Sequence, residues 1–261
     1  MSALTTPHID VHRGGDRMKT RVSWLDSKHS FSFGEHYDPD NTHHGLLLVN
    51  NEDIVSPGQG FDTHPHRDME IVTWVLGGSL VHQDSLGHSG VIYPGLAQRM
   101  SAGTGILHSE KNDSWRLDAA ARAHDEPVHF VQMWVVPDES GIAPGYEQLE
   151  IDDELARGEL VTVASGLPRY RDRTAIAINS SHSALHVARM AVEPGTEQLI
   201  DLPEAPYLHV FVARGEVEME GVGSLYTGDA VRLTRTGGQR VIARQASEIL
   251  VWEMHARLGA Q

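Results

Sequence analysis

Apolar residues along the chain come in short runs cut off by glycine, proline and asparagine, a spacing that predicts strands. Gly45 to Asn50 carries LLLV and ends at Asn50-Asn51, and Glu70 to Leu76 reads EIVTWVL and stops at Gly77-Gly78. Ser79 to Gln83 continues as SLVHQ until Asp84-Ser85-Leu86-Gly87 turns the chain. Gly90 to Tyr93 ends at Pro94-Gly95, Gln98 to Met100 leads into Ala102-Gly103-Thr104-Gly105, and Ile106-Leu107-His108 opens a further strand. Many short strands with this punctuation indicate an antiparallel sandwich or barrel rather than an α/β sheet. Ser114 to Ala123 is alanine-rich and is the one helical stretch expected before residue 140. Residues 139–148, with Pro144 and two glycines, read as a linker. Strands then resume at Val187 to Val192, His209 to Ala213, Glu216 to Met219, Ala230 to Thr234, Arg240 to Ala243 and Ile249 to Glu253.

The two halves echo each other. Val212-Ala213-Arg214-Gly215-Glu216-Val217 follows the pattern of Val75-Leu76-Gly77-Gly78-Ser79-Leu80, and Thr227-Gly228-Asp229 sits where Pro94-Gly95-Leu96 does. This weak internal repeat predicts two barrels of one design: residues 1–138 as the first, 139–148 as the connection and 149–261 as the second.

Composition narrows the function classes. A formal charge of −15 leaves no basic face for nucleic acid. Cysteine is absent, which removes disulfides, thiolate catalysis and cysteine-ligated zinc. No apolar stretch approaches membrane-spanning length, and Met1 to Asp10 lacks the basic-then-apolar pattern of a signal peptide, so a cytoplasmic protein is expected.

Two histidine motifs carry candidate chemistry: His64-Pro65-His66 and His108-Ser109-Glu110. Residues i and i+2 on a strand project from one face. Two such pairs on facing strands aim three imidazoles and one carboxylate at a point, a suitable shell for a divalent transition metal. Either pair alone also fits polar residues at a strand rim. Anchoring the repeat at Gly78/Gly215 and at Gly95/Gly228 places Asp201, Pro203, Val241 and Ala243 opposite the four candidates, so the second barrel is expected to lack a metal site. Other polar side chains read as structural. Arg67 and Asp68 fit a surface ion pair, Gln132 and Met133 fit core or rim, and Trp74 shares a core face with Val72 and Leu76. His82 and His88 flank a turn and read as solvated. His43 and His44 are adjacent and cannot chelate together, though they precede a strand that could rim the pocket. His182 and His186 lack the following glutamate of a helical zinc motif.

Residues 61–110, FDTHPHRDMEIVTWVLGGSLVHQDSLGHSGVIYPGLAQRMSAGTGILHSE, closely resemble the N-terminal barrel of the pirin family. The resemblance extends to Trp24-Leu25, to Ser30-Phe31-Ser32-Phe33-Gly34, to Val128–Trp134 and to Pro144–Gln148, covering about residues 20–150. It implies an all-β bicupin, two tandem jelly-roll barrels, with one metal in the first, held by His64, His66, His108 and Glu110. Fe(II) is the expected ion, with Cu, Ni, Mn and Zn as alternatives. Some pirin-like proteins are similar to quercetin 2,3-dioxygenases, which open a flavonol with O2 and release carbon monoxide; Glu110 would then accept the proton of the flavonol 3-hydroxyl. Others act as regulators through a protein partner, and the same shell would also support a non-oxidative isomerase.

Overall fold

The computed structural model describes residues 7–113, 125–192 and 198–259, and the expected helix at Ser114 to Ala123 lies outside them. Among the described residues the strands form four sheets, two of seven strands and two of four. In chain order, the first seven-stranded sheet is built around Leu47–Val55, Glu70–Gly77, Leu96–Ser101 and Val128–Val135. A four-stranded sheet of Gly60–His66, Leu80–Asp84, Ser89–Ile92 and Ile106–Lys111 faces it and completes one barrel. The second half repeats the order strand for strand. Ala230–Thr234, Tyr207–Arg214, Ser247–Met254 and Ser183–Met190 stand in its large sheet as Leu96–Ser101, Glu70–Gly77, Val128–Val135 and Leu47–Val55 stand in the first. The glycines that anchored the repeat share a backbone state: φ is 74° at Gly78 and 83° at Gly215, and 92° at Gly95 and 89° at Gly228. Only glycine adopts these left-handed values without strain.

Strand pairing crosses the boundaries drawn from sequence. His8–His12, at the start of the first segment, pairs with Ala230–Thr234 and forms the edge of the second barrel's large sheet. Gly145–Glu150, which begins inside the expected linker, pairs with Leu96–Ser101 at the equivalent edge of the first. Each barrel is thus closed by a strand lying beyond its boundary in the chain. Edge pairing needs only a partner of suitable register, so composition at 139–148 did not reveal it.

The large sheets meet face to face. Strand Glu70–Gly77 is buried along its length because it is covered on both sides. Val72, Trp74 and Leu76 join Met133, Phe211, Leu250, Trp252 and Met254 in an apolar layer shared by the two barrels. The alternate face, with Ile71, Thr73 and Val75, lines the first barrel.

The barrel interiors differ. The second is filled by one apolar cluster that includes Ile200, Leu202, Val210, Val231, Val241 and Ala243. The first holds two smaller apolar clusters, one around Phe130 and Leu80 and one around Ile71 and Met100. Buried Thr73, His82, His108 and Glu110 are polar members of the same strands. The expected correspondence of His64 with Asp201 is off by one residue. His64 pairs with His108, whereas Val241 pairs with Ile200. A one-residue slip turns every side chain to the opposite face, so Ile200 and Leu202, not Asp201 and Pro203, take the inward positions.

Candidate metal centre

Strands Gly60–His66 and Ile106–Lys111 run antiparallel with His64 directly opposite His108. His66 lies two residues along from His64 and shares its face. The imidazole centroids of His64, His66 and His108 lie 4.5–4.9 Å apart, and one ligand atom from each falls within 4.8 Å of the others. His64 Nδ1 lies 2.7 Å from the Asp62 carbonyl oxygen and donates to it, which leaves Nε2 with a free lone pair. His66 Nε2 and His108 Nε2 are buried and have no hydrogen-bond partner among the described residues. Unpaired buried polar atoms are costly, and three imidazole nitrogens converging in this way fit a transition-metal ion.

Glu110 is on the same strand, but the ladder shifts register between His108 and Glu110, so Glu110 pairs with Phe61 rather than Asp62. Such bulges re-aim side chains. Gly60 permits the close passage of the two strands here: its φ is 154°, and a Cβ would sit 2.2 Å from the Glu110 carbonyl oxygen. The buried Glu110 carboxylate accepts from Gln132 Nε2 at 2.8 Å and 2.9 Å, one contact to each oxygen. Thr73 Oγ1 lies 3.5 Å from Oε1. Trp134 Nε1 donates to Gln132 Oε1 at 3.0 Å, which fixes the orientation of the amide. Gln132 is therefore a polar member of the site. Its signal in the sequence is parity, since Val128, Phe130, Gln132 and Trp134 share the inward face of Val128–Val135. Met133 is on the opposite face, in the shared core.

His82, read from sequence as solvated, is fully buried. Its Nδ1 lies 3.4 Å from His108 Nδ1, its Nε2 lies 3.4 Å from Asp84 Oδ2, and its ring stacks on Tyr146. This places an orienting chain behind His108, on the side away from Nε2. His88 keeps its place at the turn, bonding Asp84 Oδ2 at 2.9 Å. Arg67 and Asp68 form the expected surface pair at 3.3 Å. His44 packs edge-on against Tyr207, and its Nε2 lies 3.2 Å from the Leu233 carbonyl oxygen; neither it nor His43 lines the cavity over the histidines. His186 sits on a strand, 3.0 Å from Glu253.

A cavity of about 650 Å³ opens over His64 and His66, with His108 buried behind them. Phe33, Phe61 and Trp134 supply aromatic walls, with Trp134 edge-on to His66 at 4.8 Å and to Phe33 at 5.7 Å. Asn51, Asp53, Glu110 and Gln132 supply polar groups, and Lys19, Arg21 and Glu35 are among the other lining residues. The size and mixture suit a small aromatic ligand. Burial pushes Asp53 up to about 7, with nearby Glu110 adding to the effect and the Ser27 hydroxyl opposing it.

Burial, then the charge of neighbouring imidazoles, lowers His66 to about 4 and His108 to about 3. Both are neutral at physiological pH, the form that ligates a metal. Burial likewise lowers His44 to about 4 and His186 to about 3. The unfolded chain protonates these four near 6.5 and the fold only near 3–4, so stability is full above 6.5 and is lost as pH falls through that window. Asp53 acts in reverse, adding stability as pH falls from about 7 towards its unfolded value of 3.8. The net expectation for metal-free protein is a loss on the order of 5 kcal/mol between pH 7.5 and 5.0, with the four histidines losing more than Asp53 returns. Urea midpoints at the two pH values measure it, and equal midpoints would refute the burial argument.

The fold and site define a bicupin with a candidate metal centre in its first barrel, and relatives narrow the class. The family described as Pirin matches residues 12–135. A Mycobacterium tuberculosis protein provisionally named quercetin 2,3-dioxygenase is 59% identical over 97% of this chain and 98% of its own length. Quercetin 2,3-dioxygenase of Escherichia coli K12 is 34% identical over 94% of this chain and 98% of its own. Among solved structures, bacterial pirin YhhW from Escherichia coli in complex with nickel(II) superposes with a TM-score of 0.80 at 32% identity, covering 96% of this chain and all of that one. The chain belongs to the pirin family. Among the described residues no helix is long and apolar enough to cross a membrane.

Proposed function

We propose that the protein is a metal-dependent dioxygenase that opens a flavonol or similar enol with O2 and releases carbon monoxide. The observation that carries this reading is the convergence of three imidazole nitrogens beside an aromatic-walled cavity that His64 and His66 line, with His66 Nε2 and His108 Nε2 buried and without a hydrogen-bond partner among the described residues. The name of the Escherichia coli relative supports the substrate class, and the nickel(II) complex of YhhW supports a divalent ion. His64, His66 and His108 would hold that ion, with Glu110 as a fourth ligand; Fe(II) is the expected metal.

A bound ion would supply Lewis acidity that favours the flavonolate and an open position for a reactant. The residues do the rest. Trp134, Phe33 and Phe61 clamp a planar aromatic ligand and exclude water from it. Glu110 accepts the 3-hydroxyl proton on a carboxylate oxygen. His82 and the Asp62 carbonyl hold the outer nitrogens of His108 and His64, so their Nε2 atoms stay aimed at one point.

The test loads metal-free protein with Fe(II), Cu(II), Ni(II), Mn(II) or Zn(II), adds quercetin in air, and follows flavonol absorbance and carbon monoxide. Free ions and heat-inactivated protein are the controls, because flavonols oxidise unaided. Glu110→Gln is expected to retain metal but lose turnover by about a hundredfold, since an amide cannot accept the proton. Turnover no faster than free metal for every ion would reject the enzyme reading and favour a module that acts through a protein partner.

A further inference from the structure

The Glu110 carboxylate has an unusual neighbour for a metal ligand. A single amide nitrogen, Gln132 Nε2, contacts both of its oxygens at 2.8 Å and 2.9 Å. That nitrogen therefore lies in the mouth of the carboxylate, where the two inner lone pairs point. The amide cannot flip without loss, because its oxygen accepts from Trp134 Nε1 at 3.0 Å and a flip would set a carbonyl against the carboxylate. Trp134 is itself held against the rings of His66 and Phe33. Among the described residues Gln132 is the strongest side-chain donor to Glu110, the other being the Thr73 hydroxyl at 3.5 Å. Glu110 is correspondingly not among the groups whose ligand atoms cluster with the three histidines.

We propose that Gln132 is a positioning residue that competes with the metal for Glu110, making this carboxylate a displaceable fourth ligand rather than a fixed one. The inference rests on the reading of His64, His66 and His108 as a metal site. Its consequence for that site is a division of labour. The histidines hold the ion, while Glu110 stays weakly bound, keeps a lone pair for a proton and yields its position to an incoming ligand. A carboxylate relieved of the amide would turn to the cation as the remaining partner for its buried charge.

Metal affinity, measured at pH 7.5 with Ni(II) and Co(II) in a competing chelator, tests this without any turnover. Gln132→Leu is expected to tighten binding by about tenfold or more, the scale of a lost hydrogen bond to a charged group. The same substitution in a Glu110→Ala background should change nothing, because the competition has no object. The Co(II) protein should report the same event as a fall in visible absorption intensity in Gln132→Leu, as coordination number rises. Gln132→Asn, whose shorter amide cannot span the gap, is the second variant should Gln132→Leu fold poorly. Weaker or unchanged binding in the Glu110 background that carries the wild-type carboxylate would overturn the proposal. So would an equal shift with and without Glu110, which would mark a purely structural role. If His66→Ala and His108→Ala bind metal as tightly as the unaltered protein, the metal-site reading itself fails, and that result is distinct from the others.

Discussion

His108→Ala is expected to yield a folded protein that has lost tight metal binding. The residue sits directly opposite His64, is almost wholly buried, and aims an unpartnered Nε2 at the point where the other two imidazoles converge. Losing an outer partner of a metal ligand typically costs 10–100-fold in affinity, so losing the ligand itself is expected to cost more than about a hundredfold. The fold should survive because His108 belongs to none of the apolar clusters that fill the molecule. His82 would be left facing a small void, but its Nε2 keeps the contact with Asp84. Elemental analysis of dialysed protein and a circular dichroism spectrum check the two halves of the prediction. A full equivalent of metal in His108→Ala, or in the His64→Ala/His66→Ala double variant, would show that the ion sits elsewhere.

What the sequence made legible follows from period and parity. The alternation in EIVTWVL places Trp74 with Val72 and Leu76 on one face, and that face is the shared core. The two histidine motifs have the spacing that strands convert into a common face, and the strands bring His64, His66 and His108 together. Register was harder to read. Asp201 and Ile200 differ by one position and by opposite faces, and a glycine-anchored alignment ten or more residues away does not resolve that step. The bulge that separates Glu110 from regular pairing with its neighbour strand has no sequence mark apart from Gly60. His82 next to a turn resembles a solvated residue; it is covered by His108 and by Tyr146, the latter on the edge strand Gly145–Glu150, which begins within the expected linker. Gln132 carried a readable signal, an amide on the same face as Phe130 and Trp134, but choosing between inward and outward needed the sheet.

Trp252→Ala is expected to destabilise both barrels together, by about 3–5 kcal/mol. Trp252 is fully buried on strand Ser247–Met254 and packs in the layer where the two seven-stranded sheets meet. Its indole Nε1 lies 3.2 Å from Met133 Sδ, so the second barrel touches the strand that carries Gln132 and Trp134 into the candidate site. The reciprocal contact comes from the first barrel, where Trp74 Nε1 donates to buried Glu248 at 2.5 Å and Glu248 in turn pairs with Arg189. Truncating a side chain of this size leaves a cavity that the pleated sheets on either side cannot collapse to fill. Because the layer belongs to both halves, its loss has no private owner. Urea unfolding followed by far-ultraviolet circular dichroism should therefore stay a single transition with a lowered midpoint, and release of bound Ni(II) should fall on the same curve. A second barrel that unfolds first, with the metal still held, would show that the two units are independent and that the apolar layer is a contact without consequence for the site.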